Sequence, residues 1–282
     1  MVGSEEREEE GKQPLYFAPA LDKGLDILEL MSKQREGLTR REIAERLGRS
    51  VGEIFRMIES LTRRSYLVQD DDKFLLGMKV FELTHEFPPM SRLLHEALPR
   101  MEALSKFLDQ SCHLTVLSGT HQLVVAQVDI PDGVGFSVRI GAKLDLLTSA
   151  SGQVLLAFHD REDAGRLVQQ VKETASKEER DEFLIGLDGV RSRGFARITS
   201  NRFGSVEAIS YPVLDLQGRA IAALTVPFMN RLDDPVPRPL EFVQSYVATV
   251  AADLSASLGG AITHLASNVA RGHGTALASR TD

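Results

Sequence analysis

The stretch LTRREIAERLGRSVGEIFRMIESL, residues 38–61, carries two helix-start signals eleven residues apart. Thr39 precedes Glu42 by three residues, and Ser50 precedes Glu53 in the same way. In such a capping box the hydroxyl accepts a hydrogen bond from the third N–H, while the carboxylate accepts one from the cap N–H. Gly48 is well placed to end the first helix. The stretch therefore predicts two short helices joined by a tight turn, as in a helix-turn-helix.

Charge around this stretch differs from that of the chain as a whole. The 282 residues carry a net charge of −7, whereas the window 33–64 holds nine basic and five acidic side chains. A local basic face on an acidic chain is typical of a small module that contacts DNA. An ordinary pair of surface helices in an α-helical bundle explains the stretch equally well, so residues 38–61 alone do not decide.

The flanking segments favour a winged helix. Before the stretch, residues 20–33 have a helical period of apolar side chains: Leu21, Leu25, Leu28 and Met31. After it, SYLVQDDDKFLLG (65–77) predicts a β-hairpin with an acidic tip, and Lys73 is its cation. Helix, helix-turn-helix and hairpin follow one another in the order of a winged helix.

The remainder predicts a mixed domain, so the fold class is α+β. Strands are expected at CHLTVLSG (112–119), QLVVAQVDI (122–130), GFSVRIG (135–141) and in a strand pair within 207–228. Helices are expected within 149–158, 177–194 and 239–260. The predicted organisation is a disordered acidic leader (1–17), a winged helix (18–78), a linker helix (79–98) broken near FPPM, a sensor-type domain (99–260) and a flexible tail (261–282).

Several classes of protein are excluded by composition and motifs. No run of about 18 apolar residues predicts a membrane span, and the polar N-terminus does not resemble a secretory signal, so a cytoplasmic location is expected. The single cysteine, Cys112, excludes internal disulfides and thiolate-pair zinc sites. The seven histidines form no metal-binding pattern, and no cofactor is predicted.

Catalysis is not predicted, and no catalytic residue is assigned. The chain lacks G-x-S-x-G, P-loop and dinucleotide fingerprints. Cys112 and His113 are adjacent, so on a strand their side chains point to opposite faces. The alternative function is a small-molecule sensor or enzyme domain that acts without sequence-specific DNA binding.

From about residue 18 to 260 the chain resembles the IclR family of transcriptional regulators. The resemblance is carried, in order, by ALDKGLDILELM, LTRREIAERLG, YLVQDDDKFLLG, TSASGQVLLA, VRSRGFA and ISYPVLDLQGRAIAALTVP. It implies an N-terminal winged helix, a linker helix and a GAF-like domain that binds a small-molecule effector. It also implies a double-stranded DNA operator and a homodimer or tetramer. Repression is the default expectation, although the sequence does not decide between repression and activation.

The resemblance implies that the second helix of the motif reads the major groove. Arginine and serine can bond to base edges or phosphates, and glutamate can accept from cytosine. Glu53 has a competing role in its capping box. The candidate DNA-binding residues are Thr39, Arg40, Arg41, Arg49, Ser50, Val51, Gly52, Glu53, Arg56 and Lys73.

The resemblance also implies an effector site in the C-terminal domain. Relatives that bind small keto-acids use an aspartate, a cysteine and serines where this chain has Ile198, Ala208, Thr225 and Pro227. We therefore expect a larger, less polar or aromatic acid instead of glyoxylate or pyruvate. The loop before the helix at 149–158 offers hydroxyls and N–H groups, and Arg139 could pair with a carboxylate. The candidate effector-binding residues are Arg139, Leu147, Thr148, Ser149, Ser151, Gly152, Ile198, Ala208 and Thr225.

Overall fold

The computed structural model describes residues 18–131, 135–171, 176–199, 206–229 and 238–260. The predicted leader (1–17) and tail (261–282) lie outside these residues. The chain forms two compact units, Met1–Pro88 and Pro89–Asp282. No helix in the described ranges combines the length and apolar character needed to cross a bilayer.

The first unit is a winged helix. Its helices are α1 (Pro19–Met31), α2 (Arg40–Arg46), α3 (Val51–Arg63) and α4 (Lys79–His85). Its strands are β1 (Leu38–Thr39), β2 (Leu67–Asp70) and β3 (Lys73–Leu76), which form an antiparallel sheet in the order β1-β3-β2. The predicted hairpin is therefore confirmed as β2 and β3.

Local signals build the first unit as predicted. Both capping boxes form, with Thr39 capping α2 and Ser50 capping α3. Gly48 has φ +63°, the left-handed conformation that ends a helix and that glycine adopts readily. Ile54 and Ile58 of α3 are fully buried in the core of this unit. Burying a side chain of this size contributes about 2 kcal/mol, so the inward face of α3 holds its outward face in place.

The apolar stripe of α1 is only partly buried. The helix forms, but Ile27 and Met31 are its buried residues. Leu21 and Leu25 are 62% and 49% exposed. Their spacing is helical, yet periodicity alone does not say which of two adjacent apolar stripes packs inward.

The second unit is a six-stranded antiparallel sheet with helices packed on it. Its strands are β4 (Cys112–Ser118), β5 (His121–Val128), β6 (Lys143–Leu144), β7 (Ala196–Thr199), β8 (Val206–Leu214) and β9 (Ala220–Met229), in the order β6-β5-β4-β9-β8-β7. Its helices are α5 (Pro88–Leu108), α6 (Ala150–Ala157), α7 (Arg161–Val171), α8 (Lys177–Arg193) and α9 (Leu240–Ser257). Helices α6 and α9 both pack against β8 and β9.

The segment predicted as a linker contains parts of two helices. α4 ends at His85 and α5 begins at Pro88, because a residue before proline is disfavoured in the helical region. α5 continues through Pro99 to Leu108, so the expected boundary at residues 98 and 99 falls inside one helix.

The strand expected over GFSVRIG is wrong, since none forms in residues 135–141. Side chains hold this backbone instead of a ladder: the Ser111 hydroxyl donates to the Phe136 carbonyl, and the Val138 N–H donates to Gln127 Oε1. Gly141, with φ +82°, turns the chain before the short strand β6 begins.

Candidate functional site

The start of α3 is open to solvent. Val51, Gly52 and Glu53 are exposed, as is the cap Ser50, whereas Ile54 is fully buried. The hydrophobic pattern of α3 therefore turns its first helical turn outward, as expected for a recognition helix. Of the candidates in this turn, none is covered by another described residue of the chain.

Among the candidates for DNA contact, Arg56 and Arg41 are two arginines without a partner in the described part of the chain. Arg56 lies one turn into α3, and Arg41 lies in the first turn of α2. Both side chains are exposed. Neither makes a hydrogen bond or ion pair with another described residue. An arginine without an intramolecular partner keeps all five N–H donors available for phosphate or guanine.

Arg49 and Glu53 have partners on α1. Arg49 Nη2 lies 2.8 Å from Asp26 Oδ2, and Lys23 Nζ lies 3.1 Å from Glu53 Oε1. Hydrogen bonds from the N–H and hydroxyl of Ser50, followed by Lys23, lower the pKa of Glu53 to about 2. These two residues hold the start of α3 against α1. This role differs from the contact with DNA bases that the sequence predicted for them.

Arg40 also has an intramolecular role. Its guanidinium pairs with Glu59 and lies 4.9 Å from the ring centroid of Phe55 and 5.2 Å from that of Phe74. Phe55 is 43% exposed beside the open first turn. Sequence reasoning missed Phe55, although its place four residues after Val51 on α3 is the signal that could have identified it.

The remaining two candidates, Thr39 and Lys73, lie on strands β1 and β3 beside the start of α2. Thr39 and Lys73 are partners in the β1-β3 register. The Thr39 hydroxyl is engaged with Glu42 in the cap. Hydrogen bonds from Thr39, with a smaller contribution from Lys73, lower the pKa of Glu42. Lys73 is exposed, and it lies at the end of a hairpin whose tip is acidic.

A cavity of about 290 Å³ lies in the second unit. Six of the nine predicted effector residues line it: Thr148, Ser149, Ser151, Ile198, Ala208 and Thr225. The wall also includes residues that sequence reasoning missed, among them His113, Phe136, Val138, Lys143, Leu144 and Asp145. Most of these additional lining residues lie in the segment between β5 and α6. No local sequence signal predicted the path of this segment over the sheet.

Strand register explains why distant predicted residues meet. Ala208 on β8 pairs with Ile198 on β7 and with Pro227 on β9. His113 on β4 pairs with Thr225 on β9. Because partners in a ladder project to the same face, these side chains share one surface of the sheet. All five line the cavity.

Three predicted effector residues do not line the cavity. Arg139 is exposed, whereas its neighbour Val138 points into the wall. Leu147 is buried in the apolar core. Gly152 lies against the Leu146 carbonyl, and a Cβ at this position would come within 2.1 Å of that oxygen.

The loop before α6 is held by an internal network. Asp145 Oδ1 accepts from the N–H groups of Leu147 and Thr148. Gln122, which is fully buried, donates from Nε2 to the Asp145 carbonyl at 2.8 Å and to the hydroxyl of Ser149. Burial raises the pKa of Asp145, but the hydrogen bonds from Thr148 and Leu147 outweigh it, and the net pKa is lowered.

The Cys112-His113 pair divides between two faces as predicted. The Cys112 thiol is buried towards α5, 3.5 Å from the Met101 carbonyl, and burial raises its pKa to about 12. His113 faces the cavity, and burial lowers its pKa to about 4. The thiol is therefore protonated at neutral pH and has no adjacent base. Within the described ranges, no group of three or more potential ligands is placed to hold a metal ion.

A winged helix followed by a cavity-bearing α+β domain defines a ligand-responsive DNA-binding protein as a class. Comparison with known proteins gives the family. Residues 20–71 match the IclR helix-turn-helix domain, and residues 90–250 match the bacterial transcriptional regulator IclR C-terminal domain. The chain belongs to the IclR family of DNA-binding transcriptional regulators, which is a family of regulators and not of enzymes.

Individual relatives are distant but cover most of the chain. The HTH-type transcriptional regulator KdgR of Escherichia coli is 28% identical over 259 residues, 88% of this chain and 95% of its own. The p-hydroxybenzoate hydroxylase transcriptional activator of Acinetobacter baylyi is 28% identical over 74% of this chain and 80% of its own. An IclR homolog from Microbacterium hydrocarbonoxydans, solved with 4-hydroxybenzoate, has a TM-score of 0.68 at 21% identity and covers 85% of this chain and 99% of its own.

Proposed function

We propose that the chain reads a pseudo-palindromic DNA operator through α3 and releases or remodels that contact when an organic acid occupies the cavity. The observation that carries the DNA half is the open first turn of α3 with Arg56 beside it. Helix-turn-helix proteins place the N-terminal residues of the second helix against base edges, and two-fold dimers read two half-sites. The acting species is accordingly a homodimer or a tetramer.

Arg56 and Arg41 have different parts in this proposal. Arg56 lies on the outward face of α3, where a bidentate contact to guanine is geometrically available. Arg41 lies in the first turn of α2 with an exposed guanidinium that has no partner in the described chain, so it is available to a phosphate. Arg40, Arg49 and Glu53 act mainly by fixing the position of α3 through the contacts described above.

The cavity supports an effector of about one aromatic ring. Its volume of about 290 Å³ is at the lower end of ligand pockets, which span roughly 300–1,000 Å³. Phe136, Val138 and Leu144 provide apolar wall, while Ser151 and His113 are polar. A small keto-acid would leave much of this apolar surface unfilled, so a larger and less polar acid fits better.

Relatives indicate which acid to test first. One is a transcriptional activator of p-hydroxybenzoate hydroxylase, and a structure of the same fold holds 4-hydroxybenzoate. Occupation of the cavity would shift the population of dimer or tetramer arrangements and so change the spacing of the two α3 helices. Such couplings are typically worth about 1–3 kcal/mol.

The proposed DNA binding is tested by gel shift across a series of salt concentrations. The affinity for DNA upstream of the chain's own gene is compared with the affinity for random DNA. The intact protein should prefer the upstream DNA, and Arg56→Ala should weaken this binding. Arg166→Ala, which removes an exposed arginine of α7 with the same charge change, is the control and should bind as the wild type does. Equal affinity for upstream and random DNA would refute the proposed operator reading.

The effector half is tested by melting temperature. Single-ring aromatic acids, including fluorinated ones, should raise the melting temperature, because a ligand that binds only the folded state stabilises it. Glyoxylate should leave it unchanged. Stabilisation by glyoxylate alone would reverse the interpretation of the cavity.

A further inference from the structure

His113 is a buried polar side chain in the cavity wall. It lies on β4 opposite Thr225 of β9, and it is only 5% exposed. Its Nδ1 is buried without a hydrogen-bond partner among the described residues. Buried side-chain nitrogens are normally paired, so an unpaired one at a binding cavity indicates a partner that arrives with the ligand.

The neighbouring hydroxyls do not supply that partner. The Thr225 hydroxyl lies 2.9 Å from the Ser210 hydroxyl, and the two satisfy each other within the sheet. Thr115, also on β4, has its own buried hydroxyl without a partner in the described chain. Among the described lining residues, the imidazole is therefore the buried ionisable group that the wall offers to a ligand.

Two other ionisable side chains line the same cavity, Lys143 of β6 and Asp145 of the loop before α6. Both are exposed, in contrast to His113. The carboxylate of Asp145 is oriented by N–H donors from its own loop and is held ionised by them. Lys143 is a cation at the rim, so it attracts an acid without enclosing it.

We propose that His113 binds the acidic group of the effector and takes up one proton from solvent as the complex forms. The inference rests on the proposed effector cavity. No covalent bond changes: a neutral imidazole, a ligand carboxylate and a proton become an imidazolium–carboxylate pair. A carboxylate beside the ring favours the charged imidazole, whereas burial in the empty cavity disfavours it.

Proton uptake makes effector binding depend on pH. Each full proton taken up weakens binding by about tenfold per pH unit as the pH rises, because the empty cavity holds His113 neutral. Binding of a neutral ligand of the same shape has no such dependence. The pH dependence of binding should therefore differ between an acid and its ester, and it should depend on His113 and not on Lys143.

The test is isothermal titration calorimetry of the full chain at pH 6–7 in buffers of different ionisation enthalpy. The probes are 4-hydroxybenzoate and a panel of other single-ring aromatic acids, each compared with its methyl ester. We expect binding of an acid to take up about one proton and binding of its ester to take up none. At pH 6 the acid should bind at least about tenfold more tightly than its ester. His113→Gln should lose the uptake and at least about tenfold of the acid affinity. Lys143→Gln should keep the uptake.

Each contrary result is informative. Acid binding without proton uptake by the wild type would overturn the proposal even if His113→Gln failed to fold, since that measurement needs no variant. Unchanged uptake in a folded His113→Gln would also overturn it. If no acid of the panel binds, the proposed effector class fails together with this inference. Operator binding is measured separately by gel shift, so the DNA half of the proposed function is judged independently.

Discussion

Helices α3 and α6 begin with the same local chemistry and differ in what surrounds it. Ser50 accepts from the N–H of Glu53, and Ser149 accepts from the N–H of Gly152. In α3 the third residue is a glutamate that completes a capping box. In α6 it is a glycine, and the first turn has no acidic residue. One helix start faces solvent, and the other lines a cavity.

The difference changes the electrostatics of the two helix starts. Glu53 neutralises part of the positive end of the α3 dipole, so attraction of DNA falls to the arginines nearby. At α6 no carboxylate in the first turn offsets that end, and Ser151 faces the cavity. The α6 start therefore keeps the positive end of its dipole beside the cavity, whereas Glu53 offsets that end in α3.

The largest expected effect comes from the glycines in these two turns. Gly152→Ala places a methyl group 2.1 Å from the Leu146 carbonyl oxygen, so the backbone must shift. We expect a loss of about 3 kcal/mol of unfolding free energy. Gly52→Ala is the matched control: nothing lies within 4 Å of its new Cβ, so it should be stabilising by about 0.5 kcal/mol. Urea unfolding of both variants measures the contrast, and similar stabilities would contradict the assigned packing of α6.

The second effect concerns pH and His113. Its folded pKa is about 4, against 6.5 for the ordinary side chain. The unfolded chain therefore binds the extra proton between these values, and stability falls as the pH drops from 6.5 to 4. The loss reaches up to about 3 kcal/mol. Above pH 6.5 this contribution is constant.

Unfolding free energies measured from pH 7.5 to 4.5 test this sign. His113→Gln should flatten the curve between pH 6.5 and 4.5. A wild-type curve that rises on acidification through this window would mean that the ring is charged in the folded protein. Glu53 of α3 acts in a different window, because a pKa lowered to about 2 gives stability that is lost only as the pH falls below about 4.5.

The two helix starts also differ in how far sequence predicted them. Thr39 and Glu42 lie three residues apart, as do Ser50 and Glu53, so the caps and the winged helix followed from local pattern. The positions carried over by resemblance, Ile198, Ala208 and Thr225, do line the cavity, since strand register fixes them. A capping box could be recognised from spacing alone, but the contact of Gly152 with Leu146 could not.

The remainder of the site depends on the fold of the loops. His113 enters the wall because β4 pairs with β9, a contact across more than a hundred residues. Arg139, expected as a partner for a carboxylate, is exposed and does not line the cavity, and the strand predicted around it does not form. Arg40 was assigned to DNA from its place at a helix N-terminus, and Arg49 from the resemblance that makes α3 a recognition helix. Their partners Glu59 and Asp26 lie on other helices, where sequence spacing does not identify them.

The third effect distinguishes Arg56 from Arg41. Arg56→Ala should lower operator affinity by about 1–3 kcal/mol and relax the preference at one base pair. Arg41→Ala should weaken binding to all DNA sequences alike. It should also reduce the slope of log affinity against log salt concentration by about one. Anisotropy titrations with operator and scrambled DNA at several salt concentrations measure both. Equal losses on both DNAs for Arg56→Ala would assign it to phosphate.

The smallest effect is that of the α3 cap itself. Ser50→Ala removes the hydroxyl that accepts from Glu53 N–H, which should cost about 1 kcal/mol of stability. Ser50→Asp, which can still cap, should recover most of it. Thermal unfolding of the two variants compares them directly. A Ser50→Ala variant as stable as wild type would show that the ion pairs to α1 suffice to hold this turn.

Whether the outward turn of α3 reads DNA under control of the cavity is tested most directly by one anisotropy titration. A labelled site, selected by the intact protein from DNA upstream of its own gene, is titrated with and without the aromatic acid that gives the largest thermal shift. We predict at least about a thousandfold preference over scrambled DNA and a change of about 5- to 150-fold on adding the acid. Equal binding of selected and scrambled DNA, unaltered by the acid, would contradict it.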